Sequence, residues 1–278
     1  MMPDDIQRKL KNLGIMPAKI RGQHFLLDEI VVLEMVEAAR VSKKDTVLEI
    51  GPGLGILTDI LIEKAGKVVV VEIDHMLAQG LQKLASNKLK IIEDDILKVS
   101  LPSLIKEKKY KVVANIPYNI TSLILQKLLE GDFVPEQIVL LVQEEVAKKI
   151  VNSDKKTSRL SLFVEYYGTP CIIRRVKKCA FWPEPKVESA VLQIIMHSKK
   201  VVNDREAFVP REYFFKLISA GFSSPRKKMI NNLGHTLGMD RDVLFSVFDK
   251  IGISRDVRAE DVVFEKWLDL AQTLYQNK

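Results

Sequence analysis

The stretch Thr46-Val47-Leu48-Glu49-Ile50-Gly51-Pro52-Gly53-Leu54-Gly55 decides the fold class. Its first half is a short β-rich run, and its second half is a glycine-rich turn that leads into a helical pattern. Glycines between a strand and a helix let the backbone turn sharply and approach a ligand closely. The stretch therefore predicts the first strand, turn and helix of an α/β domain with a ligand beside the turn.

Short apolar runs recur along the chain after this stretch, separated by amphipathic segments. Residues 67–73 contain four consecutive valines, as expected for a strand that is buried on both faces. Similar runs follow at residues 89–92, 111–114, 138–142, 171–176 and 190–196. Strands and helices that alternate at this spacing predict a doubly wound, Rossmann-like α/β sheet.

The pattern changes near residues 197–204, which are polar and which we interpret as a hinge. Strand-like runs stop there, and from Glu212 onward the segments have helical periodicity. We therefore expect two domains, an α/β catalytic domain at residues 1–197 and a small all-helical substrate-recognition domain at residues 198–278.

The composition excludes several classes of protein. The chain has 278 residues, of which 47% are hydrophobic and 28% charged, so disordered and collagen-like classes are excluded. No apolar run reaches the ~18 residues of a membrane span, and the start of the chain lacks the apolar core of a secretory signal. Two cysteines and four histidines without metal spacing argue against a metal site. We expect a soluble cytoplasmic protein.

Positive charge is concentrated in the last two thirds of the chain. The net charge is +7, from 43 Lys and Arg against 36 Asp and Glu. Clustered cations suit a phosphate backbone, because binding releases condensed counterions, although solvated surface faces explain charge alone equally well. The clusters are Lys148-Lys149, Lys155-Lys156-Arg159, Arg174-Arg175-Lys177-Lys178 and Arg226-Lys227-Lys228.

Two carboxylates complete a nucleoside site at successive strand ends. Glu72 lies 21 residues after Gly51 at the end of the next strand, where it can accept hydrogen bonds from both ribose hydroxyls. Asp95 follows the third strand and can accept from an adenine amino group, although it can also cap a helix. Ile at position 56 breaks the dinucleotide fingerprint, and no phosphate-binding loop follows. A nucleoside site without a phosphate cradle predicts S-adenosylmethionine.

Asn115-Ile116-Pro117-Tyr118 follows the fourth strand and suits methyl transfer to an exocyclic amino nitrogen. The lone pair of that nitrogen is delocalised into the ring, so hydrogen bonds to the Asn115 carbonyl and to a backbone carbonyl make it more nucleophilic. Tyr118 can stack on the base. The plainer alternative is a capping Asn before a turn with a core Tyr.

A loop rich in aromatic residues and proline, residues 181–187, supplies one more candidate. Phe181 can cover the second face of the same base, or it can be core packing, and the residues alone leave both open. A base must be unstacked or single-stranded to enter such a pocket.

Taken together, these segments resemble the KsgA/RsmA family, the ribosomal RNA small-subunit adenine dimethyltransferases. The resemblance spans most of the chain and rests on the stretch quoted first and on these segments: Gly22-Gln23-His24-Phe25-Leu26, Val71-Glu72-Ile73-Asp74, Asn115-Ile116-Pro117-Tyr118-Asn119-Ile120, Gln143-Glu144-Glu145-Val146-Ala147, Phe181-Trp182-Pro183-Glu184-Pro185-Lys186-Val187-Glu188-Ser189-Ala190-Val191, Gly221-Phe222-Ser223 with Arg226-Lys227-Lys228, Asn231-Asn232-Leu233 and Arg258-Ala259-Glu260. The glycine turn is shared by many methyltransferases, whereas the opening, the Asn-Ile-Pro-Tyr-Asn-Ile core and the Pro-x-Pro-Lys-Val loop are far more specific together.

The resemblance implies a site and a substrate. His24 and Leu26 would line the methionine side of the S-adenosylmethionine site. The other expected cofactor residues are Gly51, Gly53, Glu72, Ile73, Asp95, Ile96 and Asn115, and the expected catalytic residues are Asn115, Tyr118 and Phe181. The implied substrate is two adjacent adenines near the 3′ end of small-subunit rRNA, each methylated twice in a pre-30S particle by a monomeric enzyme. His24 stands where the family more often has Asn, so this contact can become pH-sensitive.

Two other functions fit parts of the sequence. A large-subunit rRNA dimethyltransferase of the antibiotic-resistance type shares the catalytic motifs, but the segments around Phe222 and Arg258 favour the small-subunit enzyme. A non-catalytic ribosome-assembly factor is the alternative outside the enzyme class. A DNA adenine methyltransferase is disfavoured because no sequence-reading domain is evident, and a mitochondrial relative is disfavoured because no transit segment is evident.

Overall fold

The structure, a computed structural model, describes residues 24–84, 86–152 and 154–277. Its strands are β1 (Phe25–Leu26), β2 (Thr46–Ile50), β3 (Lys67–Glu72), β4 (Leu89–Glu93), β5 (Lys111–Asn115), β6 (Gln137–Gln143), β7 (Gly168–Val176), β8 (Phe181–Trp182) and β9 (Ser189–Met196). Its α-helices are α1 (Glu29–Ala38), α2 (Ile56–Lys64), α3 (His75–Leu81), α4 (Leu101–Leu104), α5 (Thr121–Leu129), α6 (Glu144–Ile150), α7 (Arg159–Tyr167), α8 (Lys199–Phe208), α9 (Arg211–Gly221), α10 (Met229–Leu237), α11 (Arg241–Ile251) and α12 (Phe264–Gln276).

Seven strands form one sheet in the order β4-β3-β2-β5-β6-β9-β7. The five strands from β4 to β6 are parallel, and β9 pairs antiparallel with β6. The chain fills the sheet in one direction from β2 to β4 and in the other from β5 to β6, so the order reverses between β2 and β5. Such a reversal opens a crevice at the carboxyl ends of the strands, where α/β proteins bind ligands. The Rossmann-like fold expected from the sequence is confirmed.

The central strands are buried because their residues are apolar on both faces. All five residues of β2 are buried, and so are the four valines of β3. Helix α1 packs on this core through Val31, Val32, Met35 and Val36, and the Asp28 side chain caps its first turn by accepting from two backbone N–H groups. The sequence analysis did not predict α1, β1 or β8.

A small second sheet changes one expectation. β1 and β8 pair antiparallel, with Phe25 opposite Trp182 and Leu26 opposite Phe181. The prediction of a loop from residue 181 onward was therefore wrong at its first two residues. A two-residue strand gives no periodic signal, and only the distant partner strand defines it.

The contacts divide the chain into two units that differ from the expected 1–197 and 198–278. One unit comprises residues 1–147 and 171–196, and the other residues 148–170 and 197–278. The second switch between the units lies between residues 196 and 197, and residues 148–170 group with the C-terminal helices. Within that unit, the Thr157 hydroxyl donates to the carbonyls of Ala259 and Val262, at 3.2 and 3.0 Å. These bonds join segments about a hundred residues apart, which no local pattern can indicate.

The predicted polar hinge near residues 197–204 was wrong in its conformation. Residues Lys199–Phe208 form α8, and the Ser198 side chain caps this helix by accepting from Val201 N–H. None of its residues is buried, so the helix has no apolar stripe from which to recognise it. Helices α9 to α12 confirm the helical character expected from Glu212 onward.

Some expectations concern residues outside the described ones. The absence of a leader segment at the start of the chain, and Gly22 and Gln23 of the resemblance, fall among residues 1–23. Across the described ranges, no helix combines the length and apolar character needed to cross a membrane.

Candidate functional site

The glycine-rich turn leaves β2 with a backbone that side chains rarely adopt. Gly51, Gly53 and Gly55 have φ of 64°, 57° and 82°, in the left-handed region that favours glycine. The turn is also crowded, because a Cβ at Gly53 would lie 3.2 Å from the Phe25 ring and one at Gly55 2.9 Å from Leu81 Cδ2. Gly51 and Gly53 therefore bring the backbone to the wall of the crevice, and Gly55 forms the N-cap of α2.

Glu72 ends β3 with its carboxylate fixed in orientation. One oxygen accepts from Gly53 N–H at 3.1 Å and the other from Asp74 N–H at 2.9 Å. Burial raises its pKa, and these hydrogen bonds oppose that shift. Each carboxylate oxygen has a second lone pair, so Glu72 can still accept hydrogen bonds from a ligand in the crevice.

Glu49 is a second buried carboxyl beside the crevice, to which the sequence analysis assigned no role. It is 2% exposed, and Oε2 accepts from the Thr58 hydroxyl at 2.7 Å. Burial raises the pKa of Glu49 to about 8, the Thr58 bond opposes this shift, and the nearby Glu72 carboxylate adds to it. A single acidic residue within an otherwise apolar strand is the signal that could have identified it.

Asp95 lies two residues beyond β4 and forms part of the crevice wall. Its side chain accepts from Leu97 N–H at 2.9 Å, and its carbonyl accepts from Lys98 and Val99 N–H. Residues 96–98 form a turn and not a helix, so Asp95 caps a turn instead of the helix considered as the alternative, and it still lines the crevice. Asp74 does cap a helix, since its side chain accepts from two N–H groups at the start of α3.

Asn115 and His24 are joined at the end of β5. Asn115 Nδ2 donates to the His24 carbonyl at 3.2 Å, while His24 Nδ1 lies 2.6 Å from the Pro183 carbonyl. One of the two N–H groups of the Asn115 amide is therefore used, and Oδ1 is the side-chain atom that can accept from a ligand. This contact of His24 could not be predicted from the sequence, because its partner is a backbone carbonyl and every residue has one.

Tyr118 lies three residues after Asn115, and its hydroxyl points away from solvent. The hydroxyl lies 2.6 Å from Ser189 Oγ, and the ring is nearly parallel to the His24 imidazole with centroids 6.0 Å apart. Burial raises the pKa of the Tyr118 phenol, and the bond to Ser189 opposes that shift. The phenol thus stays protonated near neutral pH.

The crevice brings together nearly all of the residues named from the sequence. Those that line it are His24, Leu26, Gly51, Gly53, Glu72, Ile73, Asp95, Ile96, Asn115 and Tyr118. Phe181 is not among the lining residues, and its side chain, which is 3% exposed, packs in one core cluster with Leu26 and Val191. Within the part of the chain that the structure describes, no cluster of three or more His, Cys, Asp and Glu is placed to hold a metal ion.

Several residues of the basic clusters are paired with acidic side chains. In the α/β unit, Arg174 contacts Glu34 at 2.5 Å and Arg175 contacts Glu144 at 3.1 Å. In the helical unit, the ion pairs are Lys156–Glu260 and Lys228–Asp256. Fewer cations are therefore available to a polyanion than the sequence clusters suggest.

Comparison with known proteins now identifies the family. The family profile described as ribosomal RNA adenine dimethylase matches residues 18–276. The chain belongs to the ribosomal RNA adenine dimethylase family. It is an enzyme that transfers methyl groups, and S-adenosylmethionine is the methyl donor.

Relatives in bacteria support this assignment, and two solved structures share the fold of this chain. "Ribosomal RNA small subunit methyltransferase A" of Dehalococcoides mccartyi strain BAV1 is 38% identical, over 90% of this chain and 85% of the relative. The protein of that name from Moorella thermoacetica is 34% identical over 95% of both chains. The 23S rRNA methyltransferase ErmE has a TM-score of 0.71 and 25% identity, over 91% of this chain and all of that one. A dimethyladenosine transferase from Plasmodium falciparum shares the fold, with a TM-score of 0.74 and 24% identity over 91% of this chain and 98% of that one.

Proposed function

We propose that this enzyme converts two adjacent adenosines near the 3′ end of small-subunit rRNA to N6,N6-dimethyladenosine. The observation that carries the proposal is the placement of Asn115 and Tyr118 in the crevice that also holds Glu72 and Asp95. The reactive segment and the nucleoside-binding carboxylates then face one cavity. Identities of 34–38% to small-subunit methyltransferases, against 25% to the 23S enzyme, favour the small subunit as substrate.

The crevice suits S-adenosylmethionine in its charge and its shape. In the proposed arrangement Glu72 accepts from the ribose hydroxyls and Asp95 from the adenine amino group. The cofactor carries a positive sulfonium, and the carboxylates of Glu72, Asp94 and Asp95 on the cavity wall supply the negative charge that favours it. The other proposed cofactor residues, on the turn and on the apolar walls, are His24, Leu26, Gly51, Gly53, Ile73, Ile96 and Asn115.

Asn115 and Tyr118 would hold the target adenine. Because Asn115 Nδ2 donates to the His24 carbonyl, Oδ1 is available to accept from the exocyclic amino group. That hydrogen bond draws the nitrogen lone pair out of conjugation, so the nitrogen can attack the methyl carbon as the carbon–sulfur bond breaks. The nitrogen then loses a proton to solvent. Phe181 is proposed as the second face of the base, and it would have to leave its buried position to reach it.

The partners follow from the substrate. We infer a pre-30S particle as the binding partner, a monomeric enzyme and a cytoplasmic location. The helical unit and the basic clusters of the last two thirds of the chain would hold the RNA, while the crevice holds the cofactor. Lys227 and Lys186 are exposed, and counterion release from such residues would make RNA binding depend on salt.

The deciding experiment supplies labelled S-adenosylmethionine with under-methylated small subunits, large subunits or naked DNA, followed by mass spectrometry of the nucleosides. Dimethyladenosine from small subunits alone is the expected result. Label in large-subunit RNA would instead assign the function of the 23S enzyme. Asn115→Ala should abolish transfer while small-subunit binding persists, and capture of subunits without any transfer by the wild type would favour a non-catalytic assembly factor.

A further inference from the structure

The hydroxyl of Tyr118 is held by a residue to which the proposed function gives no role. Ser189 is the first residue of β9 and is fully buried, and its Oγ lies 2.6 Å from the Tyr118 hydroxyl. Seventy-one residues separate the two, so the bond ties the reactive segment after β5 to a different strand. Ser189 belongs to the proline-rich segment that carries the family resemblance.

The bond fixes the far end of a ring whose near end is already fixed. The Tyr118 carbonyl accepts from the Thr121 hydroxyl at 3.1 Å, which holds the backbone of the short 3-10 helix Tyr118–Ile120. Ser189 cannot follow a moving ring, because β9 pairs with β6 along its whole length from Ser189 to Ile195. A buried phenol hydroxyl without a partner is unfavourable, so the ring keeps the one orientation in which the bond forms.

We propose that Ser189 is a positioning residue that holds the Tyr118 ring in the orientation required to stack on the target adenine. This inference rests on the proposed function, since it uses Tyr118 as the stacking residue. Ser189 does not touch the base itself. Without it, the phenol turns toward water in the crevice, and the ring leaves the plane against which the base is placed.

A double-mutant cycle tests the inference on the full chain with under-methylated small subunits. Ser189→Ala and Tyr118→Phe each remove the bond, and we expect each to lower kcat about three- to tenfold with the Kd of S-adenosylmethionine unchanged. The double variant should be no slower than the slower single variant, because the same bond is lost in all three. Losses that multiply would show that Ser189 acts independently of Tyr118 and would overturn the inference.

Val191→Ala is the matched control for a merely structural effect. Val191 lies two residues along β9, is fully buried and packs in the core, so its truncation weakens the strand without removing the bond between Tyr118 and Ser189. At a similar loss of thermal stability it should leave kcat within about twofold of wild type, and an equal fall in kcat would refute a positioning role for Ser189. If the wild type is active on small subunits and Ser189→Ala has the same kcat, this inference alone is refuted. If the wild type is inactive on small subunits, the proposed function is refuted as well.

Discussion

Replacing Glu49 by Gln should stabilise the cofactor-free protein increasingly as the pH rises. Burial raises the pKa of Glu49 from 4.5 to about 8 in the folded state. Below about pH 4.5 both folded and unfolded chains carry the protonated acid. Between about pH 4.5 and about pH 8 the unfolded chain loses this proton while the folded chain keeps it, so the free energy of unfolding falls as the pH rises. Gln is neutral throughout and can accept the Thr58 hydrogen bond in place of the acid.

The size of the effect follows from the pKa. Each pKa unit corresponds to about 1.4 kcal/mol, so the rise of the Glu49 pKa from 4.5 to about 8 lowers the free energy of unfolding by at most about 5 kcal/mol. The advantage of Glu49→Gln over wild type should therefore grow by a few kcal/mol across this window and stay constant above it. Urea titrations at several pH values give the free energies directly.

Glu37→Gln is the matched control, because Glu37 is an exposed glutamate on α1 of the same unit. Because its side chain stays exposed to water on folding, Glu37→Gln should not reproduce the growing advantage of Glu49→Gln. Free energies of unfolding that differ by a constant amount between Glu49→Gln and wild type from pH 4.5 to 8 would contradict this prediction, since Glu49 would then ionise in the folded protein as it does in the unfolded chain.

Three further outcomes follow from the structure. The positive sulfonium of S-adenosylmethionine favours ionised Glu49, so the affinity for S-adenosylmethionine, divided by that for S-adenosylhomocysteine, should rise toward pH 8 in calorimetry. In Glu49→Gln this ratio of affinities should not change with pH. A ratio that still changes with pH in this variant would contradict the role of Glu49. Raising salt from about 50 to about 200 mM should weaken small-subunit binding at least tenfold and cofactor binding less than twofold, and comparable losses would contradict the division of labour between crevice and basic clusters. Gly221→Ala should lower the free energy of unfolding by more than about 2 kcal/mol, because its Cβ would lie 2.4 Å from the Trp267 ring. Gly234→Ala should be neutral or stabilising, because its Cβ would have an ordinary contact at 3.5 Å. Equal urea midpoints for the two variants would refute this.

Much of the site could be predicted because its residues sit at strand ends. Glu72 and Asn115 are the last residues of β3 and β5, and the positions of buried parallel strands are readable from runs of valine and isoleucine. Once the strands alternate with helices, their carboxyl ends must meet at one edge of the sheet. The sequence also shows that His24 stands where the family more often has Asn, although it does not show that the partner of His24 is the Pro183 carbonyl.

Other features had no local signal. Helix α8 buries none of its residues, so nothing in its sequence distinguishes it from a polar linker. Phe181 is compatible in sequence with a base-stacking role and with core packing, and only its partner in β1 places it in the core. The bond between Tyr118 and Ser189 joins residues whose proximity depends on the order of β5, β6 and β9 in the sheet.

Local patterns in the sequence predict the fold class, the crevice at the strand ends and the chemistry of its main side chains. Short-range physics suffices for these features, because strand burial, glycine turns and capping residues act within about ten residues. The protonation of Glu49, the position of Phe181 and the hydrogen bond that anchors Tyr118 are set by long-range packing. Each of these depends on desolvation or on a partner far away in the chain, and both arise only when distant segments pack together.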